Sequence, residues 1–218
     1  MLEARSNLVL AATMAAAAVL GGCSRDADTA ANAPPPAEAP PMAEPAPANA
    51  MASPFMQTEE KMHAAMMSAV GDSAERTWAA KMVAHHQGAV DMARTVLSQA
   101  PDSEVKRMAQ MTIDKQGREI AELQTWLGGH PGAGSAKVTP FTADEQKMSQ
   151  AMMAAGGATL EQSWARKMIP HHQGAIDMSQ TVLPQATDAQ VRKMAEKTAA
   201  DQRKDIDELE RWLAAHPA

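Results

Sequence analysis

The segment 103–127 has apolar positions three and four residues apart, the pattern of a helix with one buried face. Asp102 or Ser103 is placed to cap its start, and Gly128-Gly129 follows its end. Strand signals are nearly absent, because the chain has no Tyr, two Phe and no sustained alternation of apolar and polar residues. The pattern therefore predicts a helical chain. The positions of the buried stripe are Val105, Met108, Ala109, Thr112, Gln116, Leu123 and Leu127.

The chain also repeats itself. Residues 55–131 align without a gap on residues 141–217, and about half of the aligned positions are identical. Two further helices are predicted in the first half, near 57–70 and 73–99, and the duplication predicts the same three helices again in the second half. Asp188 is placed to open the last of them.

Two helices joined by a turn of a few residues form an antiparallel hairpin. One hairpin cannot bury its apolar stripe alone, but two related hairpins can pack face to face as a four-helix bundle. We therefore predict an all-α fold: duplicated helical hairpins in a four-helix bundle, with two extra short Met-rich helices. The predicted boundaries are repeat 1 at 54–131, a linker at 132–140 and repeat 2 at 141–218.

The start of the chain is typical of an exported protein. Residues 1–22 contain an apolar run of 13 residues, Leu8–Leu20, the length of a signal-peptide core. Leu20-Gly21-Gly22-Cys23 resembles a bacterial lipobox, and Cys23 is the only cysteine. An acylated Cys23 would anchor the protein in a lipid bilayer, on the periplasmic side of the cell envelope. Ser24 favours the outer membrane, and a plain signal peptide is the alternative.

Residues 23–53 are rich in Ala and Pro and have no apolar period, so they are predicted to be a disordered tether. The net charge of −6, with both signs interleaved, argues against a nucleic-acid partner. The sequence has no P-loop, nucleophile elbow or dinucleotide fingerprint. We therefore expect a binding protein rather than an enzyme.

The phrase KMVAHHQGAVDM at 81–92 returns as KMIPHHQGAIDM at 167–178. On a helix, a methionine one turn before the paired histidines can share an ion with either of them, and a methionine after them leans back toward them. Gly88 and Gly174 recur within the phrases, which predicts that something approaches the backbone closely at both positions. The candidate metal ligands are Met82, His85, His86, Met92, Met168, His171, His172 and Met178.

Thioether and imidazole donors together favour copper, above all Cu(I), with Cu(II) accessible through the histidines. Methionine stripes at helical spacing are also common core filler, so a metal-free envelope protein is the main alternative. In that interpretation the histidines belong to a buried polar network with Gln116 and Gln202. A ferritin-like oxidase is a minor alternative, since Glu60 and His63 have the Glu-x-x-His spacing of di-iron bundles. That motif does not repeat, because Ser149 aligns with His63, and we set His63 aside as a ligand.

The two double-histidine phrases resemble domain-of-unknown-function family 305, over roughly residues 58–217. The family pattern has a later Gln-x-x-Glu-Ile-like stretch, matched by Gln116 to Ile120 and, with Asp for Glu, by Gln202 to Ile206. The resemblance implies an exported, ferritin-like bundle, often in tandem, and metal binding, because the family includes a periplasmic copper-binding protein. Only the Met and His positions that match the motif carry over from the family. Separately, we expect four polar residues to support the ligands: Gln116, Glu119, Gln202 and Asp205.

Overall fold

The computed structural model describes residues 53–217, and this range folds into helices. The one β-type pairing in the range is an isolated bridge between Gly71 and Val138. The predicted all-α class is thus confirmed. The helices are α1 (Met56–Ser68), α2 (Ala74–Gln99), α3 (Ser103–Gly129), α4 (Thr142–Ala154), α5 (Leu160–Val182) and α6 (Ala189–Ala215).

The predicted signal peptide, Cys23 and all but the end of the predicted tether lie outside the described residues. Within residues 53–217, no helix combines the length and the apolarity that crossing a bilayer requires.

Each long helix starts at a residue whose side chain caps it. Asp102 accepts a hydrogen bond from the Val105 amide at 2.8 Å, and Ser73, Thr159 and Asp188 cap the other three. Such a cap satisfies one of the free amides of the first turn and typically stabilises a helix by about 1 kcal/mol. Because such capping residues can be recognised in the sequence, the predicted starts of the long helices agree closely with the observed starts.

The four long helices form the bundle. The hairpins α2–α3 and α5–α6 pack together through α2 and α5. Helices α3 and α6 are linked by ion pairs between long side chains, Arg107 with Glu208 and Lys115 with Asp205. The core between the helices is filled by large side chains, with Trp78 from α2 and Trp164 from α5 fully buried.

The short helices α1 and α4 pack on α2 and α5, respectively. Met62 of α1 lies directly over Gly88, and Met148 of α4 lies over Gly174, so that a Cβ at either glycine would meet a methionine side chain. The close approach predicted at both glycines is therefore confirmed, and the approaching group is a methionine of the neighbouring helix.

Two buried lysines tie the short helices to the bundle. Lys81 of α2 donates to the carbonyl of Met66 in the last turn of α1 at 2.7 Å, and pairs with Glu145 of α4 at 2.6 Å. Lys167 of α5 makes the matching contacts with the carbonyl end of α4 and with Glu59 of α1. Each lysine thus satisfies a helix end in its own repeat and binds a carboxylate of the other repeat.

Candidate metal centre

The paired histidines meet where α2 packs against α5. The rings of His85 and His171 stack with centroids 3.7 Å apart. His85 Nε2 lies 3.0 Å from the carbonyl oxygen of His171, and His171 Nε2 lies 3.2 Å from the carbonyl oxygen of His85. A carbonyl can only accept, so each Nε2 carries the proton and donates it. The lone pair of each ring is therefore on Nδ1.

Burial keeps His85, His171 and His172 neutral. All four of the paired histidines are at most 1% exposed. Burial, followed by neighbouring histidines, lowers the pKa of His85 and of His171 well below the usual range. Burial also lowers the pKa of His172 to about 3. Neutral imidazole is the form that binds metal ions, so these lone pairs are available at neutral pH.

Buried nitrogen atoms without a partner mark this part of the core. Within the described part of the chain, the Nδ1 atom of each of His85, His86, His171 and His172 has no hydrogen-bond partner. A buried polar atom left unsatisfied costs about 1–3 kcal/mol. At His85 and His171, where Nδ1 carries the lone pair, a bound ion would remove that penalty.

The outer histidines have different surroundings in the two repeats. His86 Nε2 lies 3.1 Å from Glu119 of α3, and the same carboxylate binds Lys197 of α6 at 2.8 Å. Burial raises the pKa of Glu119, but His86 and Lys197 lower it more, to about 2. In the second repeat, Asp205 stands at the position that corresponds to Glu119. Its side chain is one methylene shorter and pairs with Lys115 of α3. Burial raises the pKa of Asp205.

The two glutamines do not play the role that the polar-network interpretation gives them. Gln116 and Gln202 are buried. Among the described residues, neither end of the Gln116 amide has a hydrogen-bond partner, and neither does the Gln202 oxygen. Glu119, which was also predicted to support the ligands, lies nearly one turn further along α3, and its carboxylate comes within reach of His86.

The four predicted methionine ligands lie on the same helices as the histidines and are completely buried. They are Met82, Met92, Met168 and Met178. In residues 53–217, no three His, Cys, Asp or Glu side chains come together in a way that could hold an ion. Thioether ligands, where they contribute to a site, favour soft ions over those that prefer oxygen or several imidazoles.

Sequence reasoning did not identify a second group of thioether and imidazole side chains, which line one cleft between α1 and α4. His63, set aside because it does not repeat, lines a cleft there with several methionines. The signal available in the sequence was the methionine content of the two short helices, but their relative position follows from the lysine contacts across the repeats, which the sequence pattern does not reveal.

A family model described as "Domain of unknown function (DUF305)" matches residues 17–127 and again 129–213. No curated protein matches the chain. The two family matches cover both repeats, in agreement with the duplication.

Three solved structures illustrate the structural likeness. A DUF305 fragment from Deinococcus radiodurans has a TM-score of 0.52 and 24% identity, over 65% of this chain and 96% of its own. CopM in its Cu(I)-bound form has a TM-score of 0.52 and 24% identity, over 66% of this chain and 98% of its own. A DUF305 protein of Streptomyces coelicolor, to which secretion has been attributed, has a TM-score of 0.54 and 25% identity, over 66% of this chain and 92% of its own. At these identities the likeness establishes the fold.

Proposed function

We propose that this chain, which belongs to the DUF305 family, is an exported copper-binding protein that holds Cu(I) and catalyses no reaction. The observation that carries the proposal is the buried core between α2 and α5. There, four buried histidines have Nδ1 atoms without hydrogen-bond partners, those of His85 and His171 being lone pairs, on the same two helices as four buried methionines.

The donor chemistry selects the ion. Thioethers bind soft ions such as Cu(I) and Ag(I), and imidazole also accepts Cu(II). Residues 53–217 contain no cysteine, since the single cysteine of the chain is Cys23, so thiolate sites of the kind that hold structural zinc are not available within this range. A dry core of this type also protects Cu(I) from water and oxidants, which suits sequestration.

The family supports the same ion. CopM, which shares the fold, has been solved with Cu(I), with Ag and with Cu(II) bound. We extend copper binding to this chain because its histidines and methionines offer the matching donor chemistry. Exact ligand sets are not carried over.

Export and anchoring rest on the start of the sequence. Residues 1–22 have the pattern of a signal peptide, and Cys23 follows a lipobox-like stretch. We propose that acylated Cys23 holds the protein on the periplasmic face of an envelope membrane, with residues 23–53 as a spacer. The secretion attributed to the Streptomyces relative supports an extracytoplasmic location.

The main test compares Cu(I) affinity in histidine variants by competition with a chromogenic chelator. His85→Gln with His171→Gln keeps an amide donor near the position of Nε2 and removes both lone pairs on Nδ1. We expect at least tenfold weaker Cu(I) binding, about 1.4 kcal/mol. The matched control is His130→Gln with His216→Gln, the duplicated histidines that stack on tryptophans after α3 and α6. Unchanged Cu(I) affinity in the first pair, or an equal loss in the control, would contradict the assignment of the core.

The metal-free alternative is favoured by one observation, the reciprocal bonds between His85 and His171 and the opposite backbone carbonyls. If their role is purely structural, the Gln pair lowers the melting temperature while Cu(I) leaves the melting temperature of the unchanged protein where it is. If copper binds the folded core, Cu(I) raises the melting temperature of the unchanged protein by mass action, and by more than that of the Gln pair.

The ferritin-like oxidase is not supported by the geometry. Glu60 and His63 both lie on the exposed side of α1, and no cluster of three His, Asp or Glu ligands forms within residues 53–217. A di-iron centre needs several inward carboxylates from different helices.

A further inference from the structure

Helices α1 and α4 enclose a cleft of about 380 Å³ on the outside of the bundle. Its chemistry is unusual because sulfur dominates the apolar part of its lining. Glu59, Glu60 and Lys167 also reach it, but Glu59 and Lys167 are paired with each other. The side chains with soft donor atoms are Met56, Met62, His63, Met148, Met152 and Met153.

Exposure separates these residues into a floor and a rim. Met62, Met148 and Met152 are at most 5% exposed, so they form the floor of the cleft. Met56 is 43% exposed and Met153 is 70% exposed. Within the described residues, the exposed large hydrophobic side chains are Met56, Met67 and Met153, every one of them a methionine. At these exposed positions, core packing, the usual reason for a methionine, contributes little.

Two of the exposed side chains of the cleft differ between the repeats, whereas Met153 is matched by Met67, which lies outside the cleft. The buried methionines of the floor recur, with Met62 of α1 matched by Met148 of α4. Met56 and His63 are instead matched by Thr142 and Ser149. Met56 and His63 are seven residues apart on α1, two helical turns, and therefore lie on one face. The first repeat thus contributes a thioether and an imidazole to the cleft, and the second contributes the exposed thioether of Met153.

We infer that this cleft is a second metal site, open to solvent, that takes a soft monovalent ion, Cu(I) or Ag(I), through Met56, His63 and Met153. The floor methionines offer further thioethers. Divalent ions that require carboxylates or several imidazoles lack a ligand set here, since no three His, Cys, Asp or Glu side chains cluster in residues 53–217. The site is separate from the buried core, and its occupancy does not depend on the core binding copper.

The cleft and the buried core differ in how an ion can reach them, and the two sites complement each other. The core histidines are at most 1% exposed, so an ion can enter the core only when the helices move apart. The cleft accepts an ion with no change in the fold, because its rim is already exposed. Weakly held ions exchange quickly at such a site, which suits the capture of Cu(I) from a donor outside the bundle.

The test uses Ag(I), which does not change oxidation state, as the probe. Methionines are labelled with ¹³C at the methyl group, and the purified protein is titrated with Ag(I) while the methyl resonances and the bound stoichiometry are measured. We expect the methyl signals of Met56 and Met153 to shift together. The triple variant Met56→Leu, His63→Gln and Met153→Leu keeps the side-chain volumes at exposed positions, so the fold should persist. It should bind one Ag(I) fewer than the unchanged protein, with at least tenfold weaker binding at the cleft.

The matched control is Met67→Leu, which alters the remaining exposed methionine, 56% exposed and outside the cleft. It should leave the stoichiometry unchanged. The inference is overturned if the triple variant binds as much Ag(I) as the unchanged protein, or if Met67→Leu removes the same ion. It is also overturned if a second copy of the chain covers the cleft. In that case the protein is a dimer, the triple variant dissociates it, and Ag(I) binding does not change. In the His85→Gln, His171→Gln pair the Met56 and Met153 shifts should remain, which separates failure of the cleft from failure of the core.

Discussion

Replacing Lys81 by methionine should lower the free energy of unfolding by about 3–5 kcal/mol, the typical effect of removing one partner of a buried ion pair. Lys81 is 2% exposed, and its Nζ contacts both the Met66 carbonyl and the Glu145 carboxylate. The variant leaves that carboxylate, in a residue 4% exposed, without a cation. The measurement is chemical denaturation followed by far-UV circular dichroism.

Two controls isolate the cause. Lys61→Met removes a lysine whose side chain is 77% exposed. The carboxylate paired with Lys61 is that of Asp91, 3.7 Å away. Exposed pairs contribute about 0–1 kcal/mol, so this variant should be nearly neutral. Adding Glu145→Gln to Lys81→Met should recover part of the loss, because it removes the unpaired charge. If Lys81→Met is no more destabilising than Lys61→Met, the buried pair does not hold α4 to the bundle.

The helices themselves could be predicted from the sequence because their signals are local. Asp102 and Asp188 cap helices within three residues of their own positions, and the apolar stripe of α3 repeats within one helix. The duplication indicated the tertiary packing, because two copies of one hairpin can bury their apolar stripes against each other. These local and repeated signals were enough for the all-α fold.

The details of the candidate site were less accessible because they depend on contacts between repeats. Lys81 stands beside Met82 in the double-histidine phrase, and no local pattern there indicates that its carboxylate partner is Glu145 in the other repeat. His63 was set aside because Ser149 replaces it in the second repeat, yet the fold places both at one cleft. Divergence between repeats weakens a structural interpretation of a residue, but at a shared surface it can mark a function that only one copy supplies.

Gly88 shows how a fold can reverse an intrinsic preference. In the interior of an isolated helix, Gly→Ala is stabilising by about 1 kcal/mol. At Gly88, however, a new Cβ would lie 2.6 Å from Met62 Cγ and 2.9 Å from Met62 Cβ. The Met62 Cβ is fixed to the backbone of α1, so a change of rotamer cannot relieve the contact and α1 must move away from α2. Overpacking of this kind typically costs about 1–3 kcal/mol.

We therefore expect Gly88→Ala to lower the free energy of unfolding by about 1–3 kcal/mol despite the better helix former. Gly117→Ala is the matched control, since Gly117 is also inside a long helix, is exposed and has nothing within 4 Å of the position of a Cβ. It should raise the free energy of unfolding by about 0.5–1 kcal/mol. Opposite signs for the two substitutions, measured by denaturation under identical conditions, are the expected result. If Gly88→Ala stabilises the protein as Gly117→Ala does, then α1 is not held against α2 through Met62, and the floor of the methionine cleft is not fixed by this contact.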